Sequence, residues 1–156
     1  MNLKIYKVIC IKILILISFF NTFFYNHLSA IESKIVVKIN DKIITNTDIK
    51  NEASYLRALN PRLSKLGEER IFIIAKNSLI REKIKETEIT NFKKDVISKD
   101  YLETIIEKIF KNIGLKNKDQ FKKHIDNFNI NLKVIENKLI SEALWNQLIY
   151  QKFIKK

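Results

Sequence analysis

Apolar and polar positions along this chain follow two rhythms, and the change from one to the other falls near Thr45. Lys34–Ile39 and Lys42–Thr45 are short and β-branched, and Asn40-Asp41 between them is a turn pair whose members both tolerate positive φ. Two such runs joined by two turn-forming residues predict a β-hairpin. A hairpin alone is marginal in water, so it needs helices to pack on or further strands to pair with. Beyond it the apolar residues recur every three or four positions, which is the helical rhythm. Thr47 is placed to cap the first helix, with Asp48 in the opening turn favouring the dipole. Ile49, Ala53, Leu56 and Leu59 form its stripe, and Asn60-Pro61 ends it because the residue before proline avoids the α region.

Arg62–Gly67 reads as a loop, and a second helix runs from about Glu68 to Glu88. Ile71, Phe72, Ala75, Leu79 and Ile80 give it a broad stripe, widened by Ile73, Ile74 and Ile84, as in a central and largely buried helix. Ser98 caps a third helix with the seam Leu102, Ile105, Ile106, Ile109, Phe110 and Ile113, and Gly114 stops it. Asp119 to about Asn127 is a short fourth helix presenting Phe121, Ile125 and Phe128. The last helix, roughly Leu132–Phe153, is about 33 Å long at 1.5 Å per residue. The expectation is a mainly α protein: an orthogonal domain of about five helices with a short N-terminal β-hairpin.

The opening thirty residues follow a different plan. Lys4, Lys7 and Lys12 precede the apolar run Ile13–Phe20, and the polar stretch Asn26–Ala30 ends on a small residue. That order reads as a secretory signal peptide, residues 1–30, cut after Ala30. The alternative is an uncleaved membrane anchor, since Val8–Tyr25 approaches the roughly 20 residues a spanning helix needs. Lys12 inside that run argues against an anchor, at a cost on the order of 3 kcal/mol near a bilayer centre. Either way, residues 31–156 are expected outside the cytoplasm, in the periplasm or held at the inner membrane. Nucleotides and nucleic acids then fall away as partners.

Composition narrows the chemistry. Cys10 lies in the leader, so residues 31–156 have no thiol and no disulfide. One proline and two glycines in 156 residues disfavour a turn-rich β sandwich. The same 31–156 segment holds 26 basic and 17 acidic residues, a net charge of +9. The lysines are spread over every helix and are not interleaved with aromatics as in single-strand readers. His124 is the one histidine beyond the leader and, with no cysteine beside it, supplies no conventional zinc site. No serine sits in a nucleophile elbow and no glycine loop cradles phosphate. Glu82, Glu86 and Glu88 interleave with Arg81, Lys83 and Lys85, the pattern of a solvated face with helical ion pairs. No catalytic residue, metal ligand or cofactor site is expected.

The aromatic residues fall at helical apolar positions, and their default place is the core. Against that, so many wide stripes in a small domain supply more apolar surface than one core easily hides. Left-over apolar surface usually marks a partner site. On this ground Phe110, Ile113, Phe121, Phe128, Trp145 and Leu148 are the candidates for a peptide-binding surface.

Ile35–Ile49, with its strand, Asn-containing turn, second strand and Thr-Asn-Thr-Asp-Ile helix start, resembles the opening of SurA-type periplasmic chaperones. Gly114–Phe128 is similar to the family's capped helix with a central Phe or Met, and Leu132–Phe153 to the helix that closes its N-terminal domain. Asn129 stands where the family is expected to carry glycine. The resemblance implies a holdase that binds unfolded outer-membrane polypeptides. Relatives usually continue into parvulin-type prolyl isomerase domains and a returning C-terminal segment, which this sequence, ending at Lys156, does not contain. A chaperone without isomerase activity is therefore implied, its open hairpin edge covered by a second copy or a partner chain. The alternatives are a membrane-anchored adaptor subunit and a remnant prolyl isomerase.

Overall fold

Thr45 ends the second strand and begins the first helix, and this double duty fixes how the two join. The computed structural model describes residues 12–13, 32–90 and 97–154. The chain divides into two units, Met1–Glu32 and Ser33–Lys156. The predicted leader and its cleavage point lie outside the described residues, Lys12 and Ile13 excepted.

Strands β1 (Ile35–Ile39) and β2 (Lys42–Thr45) form an antiparallel hairpin, with Ile39 opposite Lys42, Val37 opposite Ile44 and Ile35 opposite Thr45. The register slips between Ile35 and Val37, leaving Val36 as a bulge. Asn40 supplies the positive φ, 53°, that the two-residue loop requires. Helix α1 (Asn46–Leu59) starts two residues earlier than its predicted cap implies. Thr45, not Thr47, is the N-cap: its hydroxyl accepts from the Asp48 N–H, and the Asp48 carboxylate accepts from the Thr45 N–H at 2.8 Å. This reciprocal box needs the acid three residues after the cap, and Asp48 meets that spacing only from Thr45. The Thr47 hydroxyl is instead buried, with no hydrogen-bond partner among the described residues.

The connection to α2 (Glu68–Thr90) is a loop that tightens into one 3₁₀ turn at Leu63–Lys65. Arg57 anchors it, donating to the Leu66 carbonyl at 3.1 Å and to Glu68 at 2.8 Å. As the wide stripe predicts, α2 lies against α1, both strands and the last helix. Ile73 and Ile84 depart from that expectation, each about half exposed. The neighbouring elements cover only part of the circumference of α2, and these two point into the gaps.

Helix α3 (Lys99–Asn112) is capped by Ser98 as expected and ends in a Schellman turn. There the Leu115 N–H reaches the Phe110 carbonyl at 2.9 Å and the Gly114 N–H reaches Lys111 at 3.0 Å, with Gly114 at φ 83°. Helix α4 (Lys118–Asp126), capped by Asn117, ends in the same way. Ile130 N–H bonds Ile125 O, Asn129 N–H bonds Asp126 O, and Asn129 takes φ 57°. Asn129 thus does the work of a glycine, because asparagine is among the few residues that visit this region readily.

A side chain at Gly114 would meet nothing within 4 Å, so its substitution tests backbone conformation alone. Gly114→Ala is expected to cost about 1–2 kcal/mol, the penalty for an L-residue in left-handed conformation. Thermal denaturation measures it, and no change in midpoint would show that the turn can flatten.

Helix α5 (Leu132–Ile149) is shorter than the predicted Leu132–Phe153 and widens into a π turn at Tyr150–Ile154. Phe153 is exposed there and belongs to no core. Three apolar clusters hold the body together. Ile44, Ile49, Ala53, Ile71, Ala75 and Leu79 join the hairpin to α1 and α2. Phe110, Phe121, Ile125 and Ile135 join α3, α4 and α5. Ile89, Leu144 and Leu148 join the end of α2 to α5. The protein is mainly helical with an N-terminal two-stranded hairpin, as its sequence pattern predicts.

Candidate polypeptide-binding groove

Ile43 and Ile44 are consecutive in β2, so their side chains point to opposite faces of the hairpin. Both border the same cavity of about 490 Å³, which places the free edge of the strand along it. Ile39 and Lys42 close a two-residue loop, so that pair exchanges the ladder hydrogen bonds. The next residue, Ile43, therefore turns its N–H and C=O away from β1. Among the described residues the edge thus offers a donor and an acceptor without a ladder partner, beside a side chain that is 47 % exposed.

Opposite the strand stand Phe128 and Ile130 from the turn after α4, and Val134 from the first turns of α5. Val134 is 45 % exposed, and Phe128 is half-buried. His124 secures this wall. Its Nε2 donates to the Ala58 carbonyl at 2.8 Å, and its ring lies 5.3 Å from that of Phe128. It is half-buried, at the boundary between the core and solvent.

The floor is ionic. Glu52 of α1 is 3 % exposed and pairs with Lys138 of α5 at 2.9 Å, while Glu82 of α2 holds the same ammonium from the other side. Burial alone would lower the Lys138 pKa, but its bonds to Glu82 and Glu52 outweigh that and hold it above its ordinary value. Tyr55 lies 5.0 Å from Lys138 at its ring centroid. Burial pushes its phenol up to about 12, with Lys138 opposing and the surrounding glutamates adding to the rise. Two carboxylates against one ammonium leave the floor with one surplus negative charge in an otherwise basic protein. Another cavity, of about 320 Å³ and bounded by Arg81, Lys85 and Glu142, lies against the same cluster.

The acidic positions of α2 therefore form tertiary ties where a solvated face with helical pairs was expected. Glu82 reaches α5, Glu86 pairs with Lys42 of β2 at 3.2 Å as well as with Lys83, and Glu88 approaches Lys152. Only Lys83–Glu86 is the anticipated in-helix pair. Sequence reasoning missed Glu52, Tyr55 and Lys138 as site residues. A signal was present: Glu52 follows Ile49, and Lys138 follows Ile135, by three residues, so each puts a charge on an apolar stripe.

The six positions expected on a peptide-binding surface divide. Phe110, Phe121 and Leu148 are core residues with at most 7 % exposure and present no surface to a ligand. Each faces another apolar stripe, as Phe110 does Phe121 at 6.1 Å, so helix packing consumes the surface they were expected to offer. Ile113 is half-buried against the α3–α4–α5 cluster, and Trp145 against the α2–α5 cluster with Lys85 over its ring. Of the six only Phe128 reaches the groove. Among the described residues no group of histidine, cysteine or acidic side chains is arranged to hold a metal, and no helix is long and apolar enough to cross a membrane. No known protein family, curated protein or solved structure matches this chain.

Proposed function

We propose that this protein is a periplasmic holdase that binds unfolded outer-membrane polypeptides in the groove beside β2, without nucleotide and without isomerase chemistry of its own. The observation that carries the reading is the pairing of a free strand edge at Ile43 with exposed apolar side chains on both sides, Ile43 and Val134. An extended segment added to that edge gains main-chain hydrogen bonds whatever its sequence. Its alternate side chains then face the apolar wall and the charged floor in turn. Strands of outer-membrane barrels alternate apolar and polar residues in this way. The resemblance of Ile35–Ile49 and of the helix order to SurA-type chaperones supports the same function. The overall positive charge speeds encounter with acidic clients, while the negative floor favours a basic side chain at the point of contact.

The test is suppression of aggregation of a denatured β-barrel protein diluted from urea. Wild type at several-fold molar excess is expected to keep it dispersed, and the double substitution Ile43→Asp, Val134→Asp to lose most of that effect. Both sites are exposed, so stability should change by no more than about 0.5 kcal/mol each. Wild type that leaves aggregation untouched overturns the proposal. The second reading, an adaptor whose hairpin edge is covered by a second copy or a partner chain, is favoured by the exposure of Ile35, 64 %, and Val36 on β1. A mass in light scattering that rises with concentration, without client protection, selects it.

A further inference from the structure

The outer edge of β2 is one residue wide. Ile43 turns its N–H and C=O away from β1, and the next groups facing the same way belong to Thr45. Those are already engaged in starting α1. The Thr45 N–H goes to the Asp48 carboxylate at 2.8 Å, and the carbonyl of an N-cap accepts the first bond of its own helix. Before Ile43 the strand runs back through Lys42 into the Asn40-Asp41 turn. Among the described residues, a polypeptide laid along this edge therefore finds strand partners at Ile43 alone. That fixes its register, with one client residue standing opposite Ile43.

The register decides where the client's side chains go. The residue opposite Ile43 shares its face, and the two neighbours point to the face of Ile44. Ile44 is buried against Ala53 of α1 and Leu79 of α2, and the same two helices carry Glu52 and Glu82 into the cavity. Both carboxylates share the ammonium of Lys138. The other nearby cations, Lys42 and Lys83, both pair with Glu86, at 3.2 and 3.1 Å. Asp48, also lining the cavity, adds a further negative charge. Glu82 is the accessible member of the floor, its side chain 26 % exposed against 3 % for Glu52.

We infer that the groove selects segments in which an apolar residue is flanked by lysine or arginine, the apolar side chain lying beside Ile43 and the cation pairing with Glu82. The inference rests on the polypeptide-binding reading above and adds the register and the residue that reads it. A flanking cation completes a cluster of two acids and two bases. A flanking carboxylate instead brings a third acid up to Glu52 and Glu82, and like charges brought together across an interface suppress binding. The net positive charge of the protein pulls the other way, attracting acidic segments from a distance. At physiological salt that field is screened beyond about 8 Å, so at contact Glu82 outweighs the scattered surface lysines. A preference of this basic protein for basic peptides is therefore diagnostic of the groove.

Blocked, fluorescently labelled threonine-rich peptides, each with a central valine flanked on both sides by lysine, glutamine or glutamate, test this in anisotropy titrations with the full chain. Changing both flanks together makes the result independent of strand direction. The lysine peptide is expected to bind at least tenfold tighter than the glutamate peptide, with glutamine between them. Moving each lysine one position outward puts it on the other face and should remove most of the advantage. Glu82→Gln leaves Lys138 paired with Glu52 and is expected to bring the lysine-to-glutamate ratio within about twofold. Equal binding of the three peptides, or a ratio that survives Glu82→Gln, overturns the inference and leaves the groove reading intact. Failure to bind any of them, by a wild type that still protects a denatured barrel protein, does the same. Failure of both binding and protection overturns the two together.

Discussion

Replacing Lys138 by methionine is expected to cost about 3 kcal/mol at neutral pH. Taking one partner from a buried ion pair usually costs about 3–5 kcal/mol, because the other is left charged and dry. Here two carboxylates lose the same cation. Glu52, 3 % exposed, bears the full penalty, while the Glu82 side chain, 26 % exposed, recovers water, which sets the expectation at the lower end. Wild type should lose stability at high pH. The Lys138 pKa is raised in the folded state, so the stability it contributes is present below the unfolded value near 10.4 and is lost as pH rises through the folded one. Tyr55 acts in the same direction, since the unfolded phenol ionises near 10 and the buried one at about 12. Urea denaturation at pH 7.5 and 10.5 reads both the cost of the substitution and the loss at high pH. A Lys138→Met midpoint equal to wild type at pH 7.5 would show that water reaches the floor, and adding Glu52→Gln should restore most of the loss.

The residues that make this floor show where reading a sequence stops. One helix's rhythm reveals which of its faces is apolar, and this located the hairpin, the helix order, the Ser98 cap and the Gly114 stop. It cannot reveal whether that face meets another helix or solvent. Phe110 and Phe121 were therefore plausible at a surface until their rings were found 6.1 Å apart, and Ile73 and Ile84 plausible inside until found exposed. The Thr47 cap failed for a local reason: two threonines stand near one aspartate, and only Thr45 has it at the reciprocal spacing. Glu52 and Lys138 are far apart along the chain, and each looks like an error in its own stripe. Only when α1 and α5 are brought together do the two become partners in the ionic floor of the groove. The strand edge was legible as a liability, but its neighbour Val134 was not, because α5 is apolar on nearly every side and gives no direction of its own.

Phe121→Ala should combine a large loss of stability with a loss of client binding, although the side chain touches no ligand. Phe121 is fully buried among Ala58, Ile106, Phe110, Ile125 and Ile135, and truncating such a ring costs about 3–5 kcal/mol. The loss should be felt first in α4. At nine residues this helix is below the roughly 12–15 needed for even marginal stability alone, so it exists because Phe121 and Ile125 dock it. The turn that follows carries Phe128, Asn129 and Ile130 into the groove, held by the Ile130 to Ile125 and Asn129 to Asp126 bonds. When α4 loosens, that wall moves with it while β2, α1 and α2 keep a separate core. Amide exchange should therefore accelerate in α4 and at Ile130 well before it does in α2, and aggregation suppression should fall in parallel. Equal acceleration across all helices would instead mean that the three clusters unfold as one, and that the groove has no independently mobile side.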